Sequence, residues 1–460
     1  MTKPSTHTTP SSFKGFIGVS SQDITPSIGI YTGNWGAADI HVATGIHQSL
    51  MMSCMTFQTE KNNSPLVLLT VDLGWWKNSQ DEKELRSRIL NSINIPEPNL
   101  MLCLSHTHSG PSICQADKDK KGGELIPEYF DFLIKTAIDL ISNALGQASI
   151  ACLSWSYGKC SLAQNRDLKD SDKDRYLVGY NPEAEADDTL LVGRATNSNG
   201  QIIGTIVNYA CHPTTLAWEN TLLSPDYIGS MREIVTNNTQ SPVLFLQGAS
   251  GELAPAIQYT GDTKVAEGHG RELGYAVLST LESMPLPETT IRFKQALESG
   301  APLALWSSEH HRPDKSANAL HQHISYEVKS MNDAKTLEGM WKKTRDPVEK
   351  ERLWRKYCIR SAIGDGERTN VPIWIWKLGG AFLIGQPNEA YSVFQQTIRD
   401  QFNQHHIAIM NLVNGSIGYL PPKDFYSENI YSVWQTPFEK GSLENLIKET
   451  SEFIHQMKRN

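Results

Sequence analysis

No apolar run in the 460 residues approaches the roughly 20 needed to span a bilayer as a helix, which excludes helical membrane insertion. The first fourteen residues lack the roughly 7–15-residue apolar stretch of a secretory signal. Rich in Ser, Thr and Pro, they read as a flexible leader over 1–14, and a cytoplasmic location is the expectation. A secreted or periplasmic form trimmed of its signal would read the same. Cysteine is sparse: Cys54, Cys103, Cys114, Cys152, Cys160, Cys211 and Cys358 form an odd set with no CxxC spacing. Neither a disulfide framework nor a thiolate metal site follows from that. There is no long basic run either, and 42 Lys plus Arg against 50 Asp plus Glu leave a net charge of -8. A phosphate-backbone partner has no electrostatic footprint, so nucleic-acid binding is excluded.

What is present is a globular composition. A hydrophobic fraction of 39% with 20% charged residues can build a core, and the length allows one large catalytic domain. Short apolar runs at 66–71, 100–104, 202–210, 243–246 and 381–384 are rich in Val, Ile and Leu and bounded by polar, Gly or Pro residues, as buried strands are. Between them, 129–145 and 267–281 carry apolar residues at helical spacing. Alternating strands and helices predict the α/β class, with a mixed sheet core, in one or two stacked sheets, flanked by helices. Residues 15–460 read as a single domain with a charged helical insertion at about 326–360, interpreted as a solvated lid. Two apolar runs around Gly379-Gly380 predict a hairpin, Asn414-Gly415 a turn, and 443–458 a polar helix.

Three strand ends carry groups with chemistry. The run at 100–104 enters Ser105-His106-Thr107-His108-Ser109-Gly110-Pro111. Residues two apart in an extended chain share a face, so His106 and His108 are candidates to meet in one cavity, where neutral imidazole suits a metal. The run at 202–210 enters Cys211-His212-Pro213, and Pro213 biases His212 towards extended geometry at the strand's end. The run at 243–246 enters a Gly-rich loop containing Gly248, Ser250 and Glu252, whose amides and side chains are candidates for contact with substrate. Asp226 offers either a carboxylate near the His212 loop, as a substrate or histidine contact, or the N-cap of a helix beginning near Tyr227. A fourth run, at 381–384, enters Gly385-Gln386-Pro387-Asn388-Glu389, with Pro387 suited to the first turn of a following helix.

Taken in order, these motifs resemble the catalytic domain of the neutral (non-lysosomal) ceramidases, a zinc-dependent amidase family. The resemblance runs from Gly18-Val19-Ser20-Ser21-Gln22-Asp23-Ile24-Thr25-Pro26 through Gly45-Ile46-His47, the His106–Pro111 run, Asn165-Arg166 and His212-Pro213 to Tyr419 and Tyr431. It implies one zinc ion per chain with His106 and His212 as ligands and Tyr419 as a further ligand. It also implies that His108 and Arg166 face the substrate and that Tyr431 lies beside the scissile group. Two positions depart from the pattern. Gln386 stands where the family's carboxylate ligand is expected, leaving either Gln386 or Glu389 to complete the metal set, and Ala254 replaces the active-site serine. Chemistry that needs a serine hydroxyl is then absent, and metal-activated water with His108 as proton carrier remains.

The resemblance implies hydrolysis of an amide. The apparent lack of the family's β-rich C-terminal domain, together with the charge of -8, favours a small soluble N-acyl amino compound, an acylated amino sugar or amino alcohol, over ceramide. Trp35, Trp75, Trp76, Trp218 and Trp434 offer flat faces for stacking. The alternatives are a metal-dependent ester or lactone hydrolase, a sugar-acid lyase on the same site, an amidohydrolase barrel, and a ligand-binding pseudo-enzyme. A homo-oligomer is left open.

Overall fold

Alternation along the buried strands decides the architecture. In Leu66–Val71, Leu66 and Leu68 join one apolar cluster while Val67, Leu69 and Val71 join another, as a strand covered on both faces must. The computed structural model describes residues 11–459. Its larger sheet contains β1 (Ser12–Asp23), β2 (Met51–Gln58), β3 (Leu66–Val71), β4 (Leu100–Leu104), β5 (Ser149–Lys159), β6 (Thr189–Asn197), β7 (Ile202–Tyr209) and β8 (Val243–Gln247). Their spatial order is β8-β7-β6-β5-β1-β2-β3-β4. Only the outermost pairs, β3 with β4 and β7 with β8, are parallel. A second sheet holds β9 (Ala317–Glu327), β10 (Arg368–Leu378), β11 (Ala381–Gly385) and β12 (His406–Met410) in that order.

The two sheets face each other across a shared core. Trp374, Trp376, Leu383 and Met410 from the second sheet pack against Phe13, Phe57, Leu68, Met101, Leu191 and Leu244 from the first. Each buried tryptophan removes roughly 150–250 Å² from water, worth about 5 kcal/mol at most, and Trp376 Nε1 donates to the Pro98 carbonyl at 2.8 Å. Helices close the outer faces: α1 (Ser79–Ile93) and α2 (Ile126–Gln147) over one half of the large sheet, α3 (Tyr227–Thr239) and α4 (Thr263–Ser283) over the other. The helices α5 (Ala334–Lys343) and α6 (Pro347–Ile363) form the insertion between β9 and β10. The helices α7 (Val393–Gln401) and α9 (Ser442–Arg459) cover the second sheet, with the short α8 (Tyr431–Gln435) between them. This is the α/β class, with two stacked sheets flanked by helices.

Within the large sheet β4 and β7 run in opposite senses, yet the loops that follow them meet. Right-handed twist of about 20–25° per strand, accumulated over seven steps, turns the two edges through roughly 150°. Accordingly β8 lies beside β3 and β4. Curling brings strand ends from both edges to one place.

Several boundaries differ from expectation. Residues 1–10 of the expected leader lie outside the described residues, but Ser12, Phe13 and Lys14 belong to β1, because Phe13 is wholly buried and the Lys14 amide bonds the Asp314 carbonyl. The insertion is helical from Ala334, and Tyr326 belongs to β9, where it packs on Phe438. An exposed hairpin, Thr289–Glu298 with Pro302–His310, was not anticipated. No helix among the described residues is long and apolar enough to cross a membrane.

Candidate metal centre

The chain leaves β4 with the Ser105 and His106 amides bonded to the Val71 and Leu73 carbonyls, each at 2.9 Å. His106 itself takes φ +69°, a left-handed conformation costing an L-residue about 1–2 kcal/mol. The two histidines therefore do not share a face by simple extension. The bend at His106 still sets the His106 and His108 rings 4.8 Å apart between centroids. Across from them, His212 leaves β7 with its amide bonded to the Leu253 carbonyl at 2.8 Å, and its ring lies 4.8 Å from that of His106.

Glu389 completes the cluster. Its backbone pairs in parallel with Tyr419 in a two-residue ladder, Glu389–Ala390 with Tyr419–Leu420, and the Glu389 amide donates to Gly418 at 2.9 Å. Glu389 Oε2 lies 3.0 Å from His212 Nε2 and 3.3 Å from His106 Nε2. His106, His212 and Glu389 are all buried, with one ligand atom from each lying within 4.8 Å of the others.

The donor set fits a divalent cation on electrostatic grounds. The Nδ1 atoms of His106 and His212 each sit 3.1 Å from a backbone carbonyl, of Gly74 and Leu253 respectively. A carbonyl can only accept, so both Nδ1 atoms carry hydrogen, and a neutral ring then presents its Nε2 lone pair to the shared point. Burial and the Arg166 charge pull His212 down to about 3, so that ring is neutral. An imidazole lone pair thus faces a carboxylate at 3.0 Å, an arrangement that a cation between them relieves. His106 Nε2 also lacks an aligned hydrogen bond among the described residues.

Gln386 is not part of this set, which corrects one of the two ligand assignments drawn from the sequence. Its Nε2 donates to Asn388 O at 2.8 Å and Asn411 Oδ1 at 2.7 Å, while its Oε1 accepts from the Asn388 amide at 2.6 Å. The carboxamide is spent shaping the turn that delivers Glu389. Nor does a helix begin there: Glu389 is in strand conformation and α7 starts at Val393.

Around the cluster lies a cleft of about 580 Å³. Tyr419 Oη is 3.4 Å from His212 Nε2 and accepts from Arg166 Nη2 at 3.1 Å. Tyr431 packs edge-on against Tyr419 at 5.6 Å. Burial, reinforced by Glu389, raises the Tyr419 hydroxyl well above its usual range, so it keeps its proton. His108 sits between Trp35 and Trp75, with centroids at 5.1 and 4.9 Å. Burial, then His106 and His212, keep it well below the ordinary imidazole range, and neither of its nitrogens has a hydrogen-bond partner among the described residues. It is a neutral imidazole lining the cleft.

The remaining expected substrate contacts do not line the cleft. Gly248 packs on Ala210, where a Cβ would approach within 2.8 Å. Ser250 Oγ accepts from Gln247 Nε2 at 2.6 Å. Glu252 accepts from the amide and hydroxyl of Ser392. Asp226 is the N-cap of α3 and also accepts from the Leu216 amide at 2.8 Å, so its carboxylate serves backbone and touches neither substrate space nor His212. Ala254 is buried in a short strand that pairs with Ala163–Asn165.

His47 has a supporting place. Its Nδ1 lies 2.9 Å from Ser224 Oγ and its Nε2 3.2 Å from Glu267 Oε1. The order imitates a nucleophile, base and acid, but Ser224 is wholly buried. Instead the Ser224 backbone grips the histidine loop: its carbonyl accepts from Thr107 Oγ1 at 2.7 Å and its amide donates to Ser109 O at 3.0 Å. Sequence reasoning missed Tyr259 and Arg355 as cleft residues. Arg355 lies on α6, where its charged surroundings gave no signal distinct from a solvated helix.

Comparison with known proteins bears on the fold. No family model matches the chain. A stretch of 223 residues is 25% identical to the neutral ceramidase of Pseudomonas aeruginosa, covering 46% of this chain and 33% of that protein. The match thus spans a third of the length of that curated relative. A structure described as ceramidase complexed with C2 superposes with a TM-score of 0.67 at 14% identity, over 96% of this chain and 74% of the other. The crystal structure of the Pseudomonas aeruginosa neutral ceramidase gives 0.66 at 15% identity, over 96% and 73%. The chain is a partial sequence homologue of neutral ceramidase and has its fold along nearly the whole length.

Proposed function

We propose that the protein is a metal-dependent, ceramidase-like hydrolase that cleaves the amide bond of an N-acyl amino compound. The observation that carries this reading is the convergence of His106, His212 and Glu389 beside a neutral His108, unpartnered among the described residues, in an aromatic-lined cleft. His106, His212 and Glu389 would hold the ion, with the Tyr419 hydroxyl alongside, and two imidazoles with one carboxylate suit zinc. When bound, such an ion polarises a carbonyl and lowers the pKa of water from about 15.7 to about 7.

The chain's own residues do the rest. His108 takes the proton from the attacking water and returns it to the leaving nitrogen. Arg166, pinned by the Gly251 carbonyl at 2.7 Å, presents fixed positive charge beside Tyr419, where the oxyanion develops. Tyr431 supplies a second phenol at the same edge. With Ala254 in the serine's place, no hydroxyl nucleophile is needed from that strand.

Elemental analysis of protein purified without added metal, combined with product analysis on paired N-acyl amides and esters, tests the proposal. The expected result is one zinc per chain, lost in His106→Ala and His212→Ala, with amine release from the amide. Metal-replete protein that hydrolyses only the ester, or neither substrate, overturns it. His108→Ala should keep its metal while kcat falls about 10²–10⁴-fold; unchanged turnover removes His108 from the mechanism.

A further inference from the structure

The charge of the cleft runs against the charge of the molecule. The chain carries a net -8, yet the cleft is lined by Lys77, Arg166 and Arg355 against a single carboxylate, Glu389, which two imidazoles already engage. Low-dielectric walls focus such a field and concentrate ligands of the opposite sign. Lys77 is partly neutralised by Asp117 at 3.4 Å, and Arg166 is occupied by Gly251 O and Tyr419 Oη. Arg355 differs from both. Its ion pair is an i,i+4 contact from Nε to Glu351 Oε1 at 3.1 Å, with both side chains more than a third exposed. Such pairs are weak in water and yield readily to a better-placed anion. Arg355 also lies against the Tyr431 phenol, which burial raises and Arg355 lowers. Tyr431 thus touches both Tyr419, beside His212, and Arg355 in the same cleft.

Resting on the amide-hydrolase reading, we infer that the preferred substrate carries a carboxylate next to the scissile amide, as an N-acyl amino acid does, and that Arg355 reads this carboxylate. An amino acid carries its carboxylate on the carbon bonded to the amide nitrogen, and Arg355 lines the same cleft beside Tyr431. Arginine's planar fork suits that partner. The other wall of the cleft, where Trp35 meets Trp218 at 5.9 Å and Tyr259 at 5.8 Å, takes the apolar part of the molecule. An amino sugar or amino alcohol, being uncharged, leaves Arg355 without a function in recognition.

Binding is measured by calorimetry on the full-length, metal-replete protein with two probes, N-octanoyl-phenylalanine and its neutral alcohol, N-octanoyl-phenylalaninol. The carboxylate form is expected to bind at least tenfold more tightly. Arg355→Met should abolish that preference without weakening the alcohol, Arg355→Lys should restore part of it, and Glu351→Gln should strengthen carboxylate binding by freeing the guanidinium. Equal affinity of the wild type for both probes, or equal weakening of both by Arg355→Met, overturns the inference. Turnover is read separately: tight, Arg355-dependent binding of the acid without amide cleavage defeats the hydrolase reading and leaves the anion site standing. Cleavage without charge discrimination does the reverse.

Discussion

At residue scale, Glu389 and Gln386 illustrate how neighbours with similar side chains divide labour. Glu389 faces two imidazoles, whereas the described side-chain partners of Gln386 are Asn388 in its own turn and Asn411. Glu389→Gln should therefore release the metal while the protein stays folded. Gln386→Leu should retain the metal but lose about 1–3 kcal/mol of stability, because the Asn388 amide and carbonyl and Asn411 Oδ1 lose their side-chain partner. Metal content and denaturant titration separate the two outcomes. Glu252 makes a different test. Burial pushes its carboxyl up to about 7, against which Ser392 donates two groups. A raised folded-state pKa means that the native protein binds the proton more tightly than the unfolded chain. The resulting stabilisation is complete below the unfolded value of about 4.3 and is lost as pH rises through about 7. The loss is on the order of 3 kcal/mol. Differential scanning calorimetry from pH 4 to 8 should show Tm of the wild type falling relative to Glu252→Gln, which carries no titrating group there. Parallel curves for the two proteins remove this linkage.

At the scale of elements, the site depends on a two-residue ladder seated on a glycine. Gly251 donates to the Ala390 carbonyl at 2.9 Å, and a Cβ at this position would lie 2.6 Å from the Tyr391 ring and 3.0 Å from the Glu389 carbonyl. Gly251→Ala should push the Glu389 strand away from the histidines at a cost of about 1–3 kcal/mol. The measurable signature is weaker metal binding with unchanged far-ultraviolet circular dichroism. This ladder also marks where the sequence stops being legible. The strands that end at Leu104 and Tyr209 are visible as apolar runs, and His106, His108 and His212 stand at their ends, so three of the groups around the centre could be read locally. The bend at His106 could not, since φ +69° is imposed by tertiary bonds to Leu73 and Gly74. The choice between Gln386 and Glu389 is set by pairing with Tyr419, thirty residues further on, which no local pattern encodes. Arg355 and Tyr259 were hidden for the same reason: a helix insertion and a loop acquire meaning only from the cleft they are folded against. The loop containing Gly248, Ser250 and Glu252 was legible as a Gly-rich strand end and read as facing substrate, but whether such a loop faces substrate or core depends on what packs behind it.

At the scale of the molecule, the His106–His212–Glu389 cluster lies where the two sheets are joined. His106 and His212 come from opposite edges of the curled large sheet, while Glu389 follows β11 of the second. Asn414 reinforces the same junction, its Oδ1 accepting from the Leu102 amide at 2.9 Å and its Nδ2 donating to the Leu100 carbonyl at 2.8 Å. An ion bound to all three ligands ties together segments separated by more than a hundred residues, and the unfolded chain has no equivalent site. Its binding energy is therefore available to global stability, amounting to about 2.7 kcal/mol at a hundredfold excess over Kd. Chelation should lower Tm of the wild type, and stoichiometric zinc should restore it. In His106→Ala the same chelator should have no effect; the variant's own Tm reflects the lost ligand, because alanine keeps the Cβ and with it the cost of the left-handed backbone at this position. A chelator-induced shift of the same size in both proteins would place the stabilising ion elsewhere and separate the stability of the fold from this cluster.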